Sequence, residues 1–550
     1  MKIKATKAIR EEGLQLENSW WESGVIYQIY PRSFADANGD GVGDLRGITS
    51  GLDYLDWLGV DAIWLSPFYP SPMADFGYDI SDHTGVDPMF GDLSDFDELL
   101  ENAHRRGIRV IVDFVPNHTS DEHPWFAQSR SSRENPRRDW YIWRDPAPGG
   151  GPPNNWESVF GGGSAWEWDE HTGQYYLHTF DVKQPDLDWR NPEVVAAMHD
   201  VMRFWLDRGV DGFRIDVLCC IAKDEDLRDN PPNPDWKPGG PPSERQLKVY
   251  SEDRPEIVEM VRQLRAVADE YEGERVLIGE LYLPIERLMD YYGENLDGIH
   301  LPFNFGLVVL PEWEAKTVGA LVERYEAALP DGAAPNWVLG NHDNPRIASR
   351  VGQERARAAQ MLLLTLRGSP TCYYGDEIGM QDARIPLEKI QDPQGINSPG
   401  HNRDPARTPM QWSAAPNAGF SPKNVESWLP IPRHDTVNVE LQQDDPRSML
   451  ALFRRLISLR KDIPALKTGS YRPLDTGNDP VLAYLREDGE DRALVALNFG
   501  SDETVLDLSR AGEACETLCS THLDRESGLD LAEIKLRPHE GIVASLTSKT

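Results

Sequence analysis

The sequence predicts an α/β protein built on a (β/α)8 TIM barrel, with a small domain inserted after the third strand and a C-terminal antiparallel β-sandwich. Short β-branched runs alternate with longer amphipathic stretches from about residue 20 to residue 370. This alternation is typical of β/α units around a mostly parallel sheet. One long irregular segment interrupts it, and a series of strands without helices follows residue 473.

The barrel is predicted over residues 20–117 and 188–472. Helix-like sequences such as SDFDELLENAHRRG precede its strand-like runs. So many units in one domain favour an eight-fold barrel, although their spacing alone does not exclude an open sheet. The clearest runs are 60–65 (VDAIWL), 110–115 (VIVDFV), 210–215 (VDGFRI), 276–279 (VLIG), 337–339 (WVL) and 371–374 (TCYY).

Three further segments complete the predicted organisation. Residues 118–187 are rich in Pro, Gly and Trp and are too long for an ordinary loop, so they predict a small inserted domain. Residues 381–430, with many Pro and Asn, are expected to be an irregular extension of the barrel. Residues 473–550 contain runs such as VLAYLRE and RALVALNFG, which predict the C-terminal β-sandwich.

Composition restricts the classes of partner. The chain has 550 residues, which suits two or three domains, and its net charge of −35 makes nucleic acid and anionic membranes poor partners. Small neutral molecules fit better. The chain has five cysteines, no apolar leader and no run of about 18 apolar residues. These features favour a cytoplasmic protein without a disulfide framework. We expect a monomer or a weak homodimer.

Polar residues stand where the predicted strands end, which is where barrel enzymes carry their chemistry. Three carboxylates are expected at three successive strand ends, and an arginine precedes one of them by two residues. A lone carboxylate would more often form a structural salt bridge, but the whole set predicts a converging acidic site. The set comprises Asp113, Asn117, His118, Arg214, Asp216, Glu280, His342 and Asp343.

This inventory suits the hydrolysis of glycosides. Two carboxyl groups about 5–5.5 Å apart cleave a glycosidic bond with retention of configuration. A third anion favours the positive charge that develops on the sugar in the transition state. His118 and His342 can donate hydrogen bonds to sugar hydroxyls.

The motifs resemble those of glycoside hydrolase family 13, the α-amylase superfamily. The opening stretch 20–48 is similar to the branch of oligo-1,6-glucosidases, α-glucosidases and sucrose isomerases, and the resemblance covers about residues 20–550. It implies a retaining, exo-acting α-glucosidase for short isomaltose-type or maltose-type glucosides, with sucrose as a further candidate. A transglucosylase or sucrose isomerase is the alternative, and a non-catalytic, transporter-associated protein is a remote one. The motifs are GVDAIWLSP (59–67), DFVPNH (113–118), QPDLDW (184–189), GFRID (212–216), GE (279–280) and NHD (341–343).

The resemblance also implies catalytic roles. Asp216 corresponds to the nucleophile, Glu280 to the general acid and base, and Asp343 to the transition-state stabiliser. Arg214 is expected to keep Asp216 ionised, because a neighbouring cation lowers the pKa of a carboxyl group.

Further positions of the resemblance concern substrate binding. Asp75 and Arg407 are expected to form an ion pair that closes the pocket behind one glucose, which would make cleavage exo. Tyr78 would stack on that glucose, and Phe160 and Phe180 would form an apolar wall, with core packing as the alternative for all three aromatic residues.

Val217 directly follows the nucleophile, close to where the leaving sugar must lie. In the resembled branch, valine at this position accompanies cleavage of α-1,6 linkages. The alternative is that Val217 only packs the barrel.

A loop near the N-terminus spaces oxygen-bearing side chains two residues apart around a glycine, as in loops that bind hard cations. An EF-hand is improbable because Gly47 occupies the twelfth position, where a glutamate would be needed. The resemblance implies a structural Ca²⁺ or Mg²⁺, and a metal-free turn is the alternative. No organic cofactor is expected. The implied ligands are Asp36, Asn38, Asp40, the Val42 carbonyl and Asp44.

Overall fold

A computed structural model describes most of the chain, and all structural statements below refer to these residues. The described ranges are 19–161, 163–240, 242–398, 400–512, 515–525 and 528–546.

Eight parallel strands form the central sheet, in the order β10-β11-β1-β2-β3-β7-β8-β9. Parallel pairing of the last strand with the first curls this sheet into a nearly closed barrel. These strands are β1 (Ile26–Ile29), β2 (Ala62–Leu65), β3 (Arg109–Phe114), β7 (Gly212–Ile215), β8 (Val276–Gly279), β9 (Leu301–Pro302), β10 (Asn336–Val338) and β11 (Ser369–Tyr373).

The barrel strands are buried on both faces, which explains why they are continuous apolar runs rather than alternating ones. Ile26, Trp64 and Ile278 pack together in one cluster. Their chain neighbours Ile63 and Leu277 belong to the larger cluster that includes the surrounding helices. The six strand runs identified in the sequence omitted β1 and β9, and β9 is only two residues long.

Helices surround the barrel, and local sequence signals fix several of their ends. The helix at Leu93–Arg105 begins with a capping box between Asp92 and Asp95. The helix at Pro192–Arg208 begins after Asn191 and ends at Gly209, whose φ of 103° suits glycine. The helices are Pro31–Phe34, Leu45–Ser50, Leu52–Leu58, Leu93–Arg105, Pro124–Ser131, Pro192–Arg208, Ile257–Ala268, Ile285–Tyr292, Gly306–Val309, Ala315–Ala328, Ile347–Arg350, Gln353–Thr365, Pro393–Asn397, Val439–Gln443, Met449–Asp462 and Pro464–Lys467.

A small antiparallel sheet lies between β3 and β7, within the segment 118–187. Its strands are β4 (Trp143–Arg144), β5 (Trp166–Asp169) and β6 (Gln174–Leu177), in the order β4-β6-β5. An isolated bridge between His118 and Asp186 brings the two ends of the segment together just beyond β3. The inserted domain therefore leaves and rejoins the barrel at the carboxyl end of β3.

A second irregular segment, residues 216–256, follows β7 and was not singled out from the sequence. Asn155 of the inserted domain and Asn230 exchange two hydrogen bonds of 2.9 Å between side chain and backbone. This segment is therefore attached to the inserted domain, on the same side of the barrel as the carboxyl ends of the strands.

The C-terminal domain consists of two antiparallel sheets. A five-stranded sheet has the order β12-β13-β14-β18-β16, and β15 pairs with β17. Leu485 and Leu494 of the larger sheet cluster with Leu506 and Ile534 of the smaller one, forming the core of a sandwich. The strands are β12 (Ser470–Leu474), β13 (Val481–Asp488), β14 (Asp491–Asn498), β15 (Thr504–Leu506), β16 (Cys515–Ser520), β17 (Ile534–Leu536) and β18 (Gly541–Leu546). Within the described ranges, no helix combines the length and the hydrophobicity that a membrane crossing requires.

Candidate active site

The three carboxylates of the predicted site follow three barrel strands. Asp216 and Glu280 come directly after the neighbouring strands β7 and β8, and Asp343 lies in the loop after β10. The expectation of three successive strand ends was wrong, because β9 lies between β8 and β10. The three side chains nevertheless line the same cavity.

The guanidinium of Arg214 forms ion pairs with three carboxylates. Its Nη1 is 2.6 Å from Asp216 and 2.9 Å from Asp113, and its Nη2 is 2.7 Å from Glu280. The Arg214 side chain is completely buried. Arg214 thus fixes the positions of Asp216 and Glu280 relative to one another from beneath the cavity.

Burial and the mutual repulsion of the three carboxylates favour their protonated forms, whereas the one cation beside them favours the ionised forms. Burial raises the pKa of Asp216 well above its usual range and also raises the pKa of Glu280, while Arg214 lowers both. Burial likewise raises the pKa of Asp113 to about 6. The expectation that Arg214 sets the ionisation of Asp216 was therefore incomplete, because burial opposes the cation at this carboxyl group.

Asp343 has the opposite electrostatic environment. Its carboxylate lies 3.0 Å from Arg407, 3.2 Å from Arg403 and 3.2 Å from His342. Burial alone would raise the pKa of Asp343, but these neighbours lower it below its usual range. Burial lowers the pKa of His342 to about 3, so this imidazole is neutral at neutral pH and the two arginines supply the positive charge. The ionised form of Asp343 is therefore favoured.

The partner of Asp75 is Arg403, not Arg407, so the predicted ion pair was assigned to the wrong arginine. Asp75 lies 2.7 Å from Arg403, which also pairs with Asp392 at 2.6 Å. Arg407 instead pairs with Asp343 and donates to the His342 carbonyl at 2.7 Å. A one-turn 3-10 helix, Asp404–Ala406, separates the two arginines and brings both to the site. The motif RDPARTPMQW contains both, and its spacing did not show which one reaches Asp75.

A cavity of about 360 Å³ contains most of the predicted site. Arg214 and Arg407 are completely buried and lie behind the wall rather than in it. The lining residues that the sequence predicted are Asp75, Tyr78, His118, Phe160, Phe180, Asp216, Val217, Glu280, His342 and Asp343. The lining residues that it missed are Val159, Cys219, Cys220, Ser243, Glu244, Lys248, Glu252, Tyr282, Gln394 and Arg403.

The aromatic side chains of the cavity, Tyr78, Phe160 and Phe180, are held by ring contacts and by polar neighbours. Tyr78 stacks on His342, with centroids 5.3 Å apart and planes 5° apart, and its hydroxyl donates to Asp113 at 3.1 Å. Phe160 lies 5.5 Å from Phe180, and the Arg403 guanidinium lies 4.7 Å above the Phe160 ring.

His118 lies on the same wall through its partner Gln184. The amide nitrogen of Gln184 is 3.1 Å from Nε2 of His118 and 3.2 Å from Asp75. Burial lowers the pKa of His118 to about 4, so its ring is neutral at neutral pH. A neutral imidazole can exchange hydrogen bonds with sugar hydroxyls without adding a charge to the site.

Val217 has the left-handed backbone conformation, with φ of 37°. This conformation is unusual for a β-branched residue, and such strain concentrates at functional sites. It directs the backbone N–H of Val217 to the Glu280 carboxylate at 2.8 Å. Val217 therefore lines the cavity and also positions Glu280 through its backbone.

The residues of the predicted cation loop are held by their own backbone. Asp36 accepts from the N–H groups of Gly39 and Gly41, and Asp44 accepts from Ala37, Asn38 and Gly47. No ion pair forms at Asp36, Asp40 or Asp44 among the residues that the structure describes, although Asp36 and Asp44 are buried. Two buried carboxylates without a cationic side chain fit the binding of a hard cation.

Comparisons with known proteins agree with this geometry. The family model for the alpha amylase catalytic domain matches residues 28–469, and the model for the maltogenic amylase C-terminal domain matches residues 471–543. A probable alpha-glucosidase of Rhizobium meliloti (strain 1021) is 42% identical over 513 residues, covering 90% of this chain and 92% of that protein. The oligo-1,6-glucosidase of Parageobacillus thermoglucosidasius is 38% identical, covering 96% and 99%.

Solved structures share the same fold along nearly the whole chain. The structure of an alpha-glucosyl transfer enzyme, XgtA, superposes with a TM-score of 0.90 at 43% identity, covering 96% of this chain and 100% of that one. The trehalulose synthase MutB from Pseudomonas mesoacidophila MX-45 superposes with a TM-score of 0.87 at 34% identity, with the same coverage. The barrel, the acidic site and these matches together place the chain in the alpha-amylase family of glycoside hydrolases, glycoside hydrolase family 13.

Proposed function

We propose that the protein is a retaining, exo-acting α-glucosidase that releases glucose from the non-reducing ends of short α-glucosides. The observation that carries this proposal is the shared guanidinium of Arg214, which holds Asp216 and Glu280 together on the wall of one cavity. Retention needs two carboxyl groups close enough for one to attack the sugar and the other to protonate the leaving oxygen.

In the first step, an Asp216 oxygen attacks the anomeric carbon of the terminal glucose. Glu280 transfers its proton to the glycosidic oxygen, the bond between them breaks, and a glucosyl ester forms on Asp216. A raised pKa suits Glu280 to this task because the carboxyl group must be protonated at the start. Once Glu280 has released its proton to the leaving sugar, it becomes the base of the second step.

In the second step, Glu280 removes a proton from water, which attacks the anomeric carbon and displaces Asp216. Two inversions restore the starting configuration. Asp343 remains ionised beside Arg403 and Arg407, so its negative charge is available when positive charge develops on the sugar ring.

The ion pair between Asp75 and Arg403 supports the exo mode. Both side chains are less than a tenth exposed. Asp392 forms a further ion pair with Arg403, and Gln184 donates a hydrogen bond to Asp75. A pocket that ends in a buried ion pair accommodates one terminal sugar and leaves no path for a longer chain. We infer that this end binds the glucose that is released.

A transglucosylase or sucrose isomerase is the second candidate. Two structural neighbours, an alpha-glucosyl transfer enzyme and a trehalulose synthase by their names, support this second candidate. Lys248 and Glu252 line the same cavity as Val217, so they offer polar groups to a second sugar while the glucosyl ester exists. Hydrolysis and transfer share the first step and differ in whether water or a sugar accepts the glucosyl group.

The test follows the anomer of the product and the fate of the glucosyl group. NMR of early products from maltose, isomaltose and sucrose is expected to show α-glucose from the maltose and isomaltose reactions. Asp216→Asn is expected to lose nearly all turnover, while its circular dichroism stays that of the wild type. Release of β-glucose would contradict retention, and an excess of new disaccharides over free glucose would favour the transferase.

We also propose that the loop 36–44 binds a structural Ca²⁺ or Mg²⁺ through Asp36, Asn38, Asp40, the Val42 carbonyl and Asp44. The support is the set of oxygen donors, together with the burial of Asp36 and Asp44 away from any cationic side chain among the described residues. Because Asp44 also caps the helix Leu45–Ser50, the ion would stabilise the fold rather than take part in the reaction.

A further inference from the structure

We propose that Cys219, Cys220 and Glu252 form a binding site for a soft divalent cation, with Zn²⁺ as the reference ion, on the wall of the active-site cavity. One ligand atom from each residue lies within 4.8 Å of those from the other two. In the part of the chain that the structure describes, no other group of three His, Cys, Asp or Glu residues converges in this way.

The geometry of the two cysteines suits a tetrahedral ion. Their sulfur atoms are 3.9 Å apart. Two thiolates at about 2.3 Å from one tetrahedral zinc ion lie about 3.8 Å apart, so the observed separation matches without rearrangement. The one-turn 3-10 helix Leu218–Cys220 and the left-handed backbone of Val217 before it direct both side chains to the same side.

Glu252 supplies the third ligand, and Lys248 balances the charge. The Lys248 ammonium lies 2.7 Å from the Glu252 carboxylate. A zinc ion with two thiolates and one carboxylate carries one net negative charge, which this ammonium neutralises. The hydrogen bond with Cys219 and burial raise the pKa of Cys220, so binding must displace a proton from its thiol.

The surroundings leave a route for the ion and a position for a fourth ligand. All four residues line the cavity that contains Asp216, so the ion enters from solvent through the same opening as a substrate. Three protein ligands with one open position are typical of zinc sites that hold an exchangeable water. A bound ion would then occupy space beyond Val217, where the second sugar must lie if the proposed function is correct.

The consequence is inhibition of the enzyme by zinc through residues that the chemistry does not use. Zn²⁺ is expected to block the leaving-sugar side of the cavity while Asp216 and Glu280 remain intact. This part rests on the proposed function, whereas the binding of the ion does not.

A direct measurement of Zn²⁺ binding tests the metal site independently of the proposed enzyme activity. Equilibrium dialysis of the full-length protein with Zn²⁺ is expected to show an ion whose affinity falls at least tenfold in Cys219→Ser and in Cys220→Ser. Cys515→Ser is the matched control, because Cys515 is also buried and free but lies in the C-terminal domain. Equal affinity in the wild type and both site variants would overturn the proposal.

Two further measurements guard against a variant that fails to fold. Wild-type protein loaded with Co²⁺ is expected to show thiolate-to-cobalt charge-transfer absorption, which oxygen ligands such as the loop 36–44 cannot produce. Glu252→Gln, which keeps both cysteines, is expected to weaken Zn²⁺ binding and to raise the half-inhibiting Zn²⁺ concentration at least tenfold. Absence of the absorption band in the wild type would refute the site even if zinc inhibited the enzyme.

Discussion

Replacement of Arg403 by alanine tests the closed end of the pocket. The change removes three ion pairs, of 2.7 Å with Asp75, 2.6 Å with Asp392 and 3.2 Å with Asp343. In the first two pairs, both side chains are less than a tenth exposed. Breaking a buried pair from one side costs about 3–5 kcal/mol because a charge is left unpaired. Asp75 can escape part of this cost by taking up a proton, since burial already raises its pKa to about 6.

Protonation of Asp75 at pH 7 costs at most about 1.4 kcal/mol, because one pKa unit corresponds to about that amount. We therefore expect the lower end of the range, about 3 kcal/mol, as a loss of unfolding free energy, together with a lower kcat/KM on maltose. Most of the loss of kcat/KM is expected to come from a higher KM, because the proposed function places the Asp75–Arg403 pair against the bound glucose rather than beside the reacting bond. Arg324→Ala, which breaks an exposed pair with Glu286, is the control and is expected to change neither constant.

A double-mutant cycle with Asp75→Asn shows which arginine is the partner. Arg403→Ala and Asp75→Asn are expected to couple, so that the double variant loses much less than the two single losses together. Additive losses would show that the pair does not act as a unit. Coupling of Asp75 with Arg407 instead would refute the assignment made from the structure.

Four shorter predictions test other parts of the molecule. Glu280→Gln is expected to lose far more activity on maltose than on an aryl glucoside with a good leaving group, because only the former needs protonation, and equal losses would contradict this role. Wild-type kcat/KM on isomaltose is expected to be at least comparable to that on maltose. Val217→Thr should move the ratio toward maltose by a factor that corresponds to about 1–3 kcal/mol at most, and an unmoved ratio would assign linkage choice to other residues. EDTA is expected to lower Tm, and added Ca²⁺ or Mg²⁺ to restore it, whereas an indifferent Tm would leave the loop 36–44 a metal-free turn. Burial raises the pKa of Asp376 to about 7, so its folded form binds a proton more tightly than the unfolded chain; this contribution to stability is present below about pH 4 and is lost as pH rises toward 7. Asp376→Asn is therefore expected to lessen the loss of stability between pH 4 and 7. The free energy of unfolding is measured by denaturant titration at each pH, and the same pH dependence in the variant and the wild type would contradict the prediction.

Much of the fold follows from local sequence patterns. The strands of the barrel are buried on both faces and are therefore visible as apolar runs, whereas β9 has only two residues, too few to form a recognisable run. The closing of the barrel depends on the pairing of Ile26 with Thr371, which are far apart in sequence. Such a contact has no local signal.

The catalytic side of the cavity was predictable because its residues belong to short motifs at strand ends. The opposite side was not, because Lys248 and Glu252 come from an irregular segment whose path depends on hydrogen bonds to the inserted domain. The wrong prediction of Arg407, instead of Arg403, as the partner of Asp75 has a similar cause. Three residues separate the two arginines, and the turn that these residues form decides which arginine faces Asp75.

β9 and β10 are the two edge strands of the barrel sheet, and the seam between them separates the residues of the active site into two groups. Asp216 and Glu280 stand on neighbouring strands joined by backbone hydrogen bonds, so their spacing is as rigid as the sheet itself. Asp343 stands across the open seam, and Arg403 links it to Asp75. An opening motion of this seam would therefore move Asp343 relative to Asp216 and Glu280 while leaving the spacing of those two carboxyl groups unchanged.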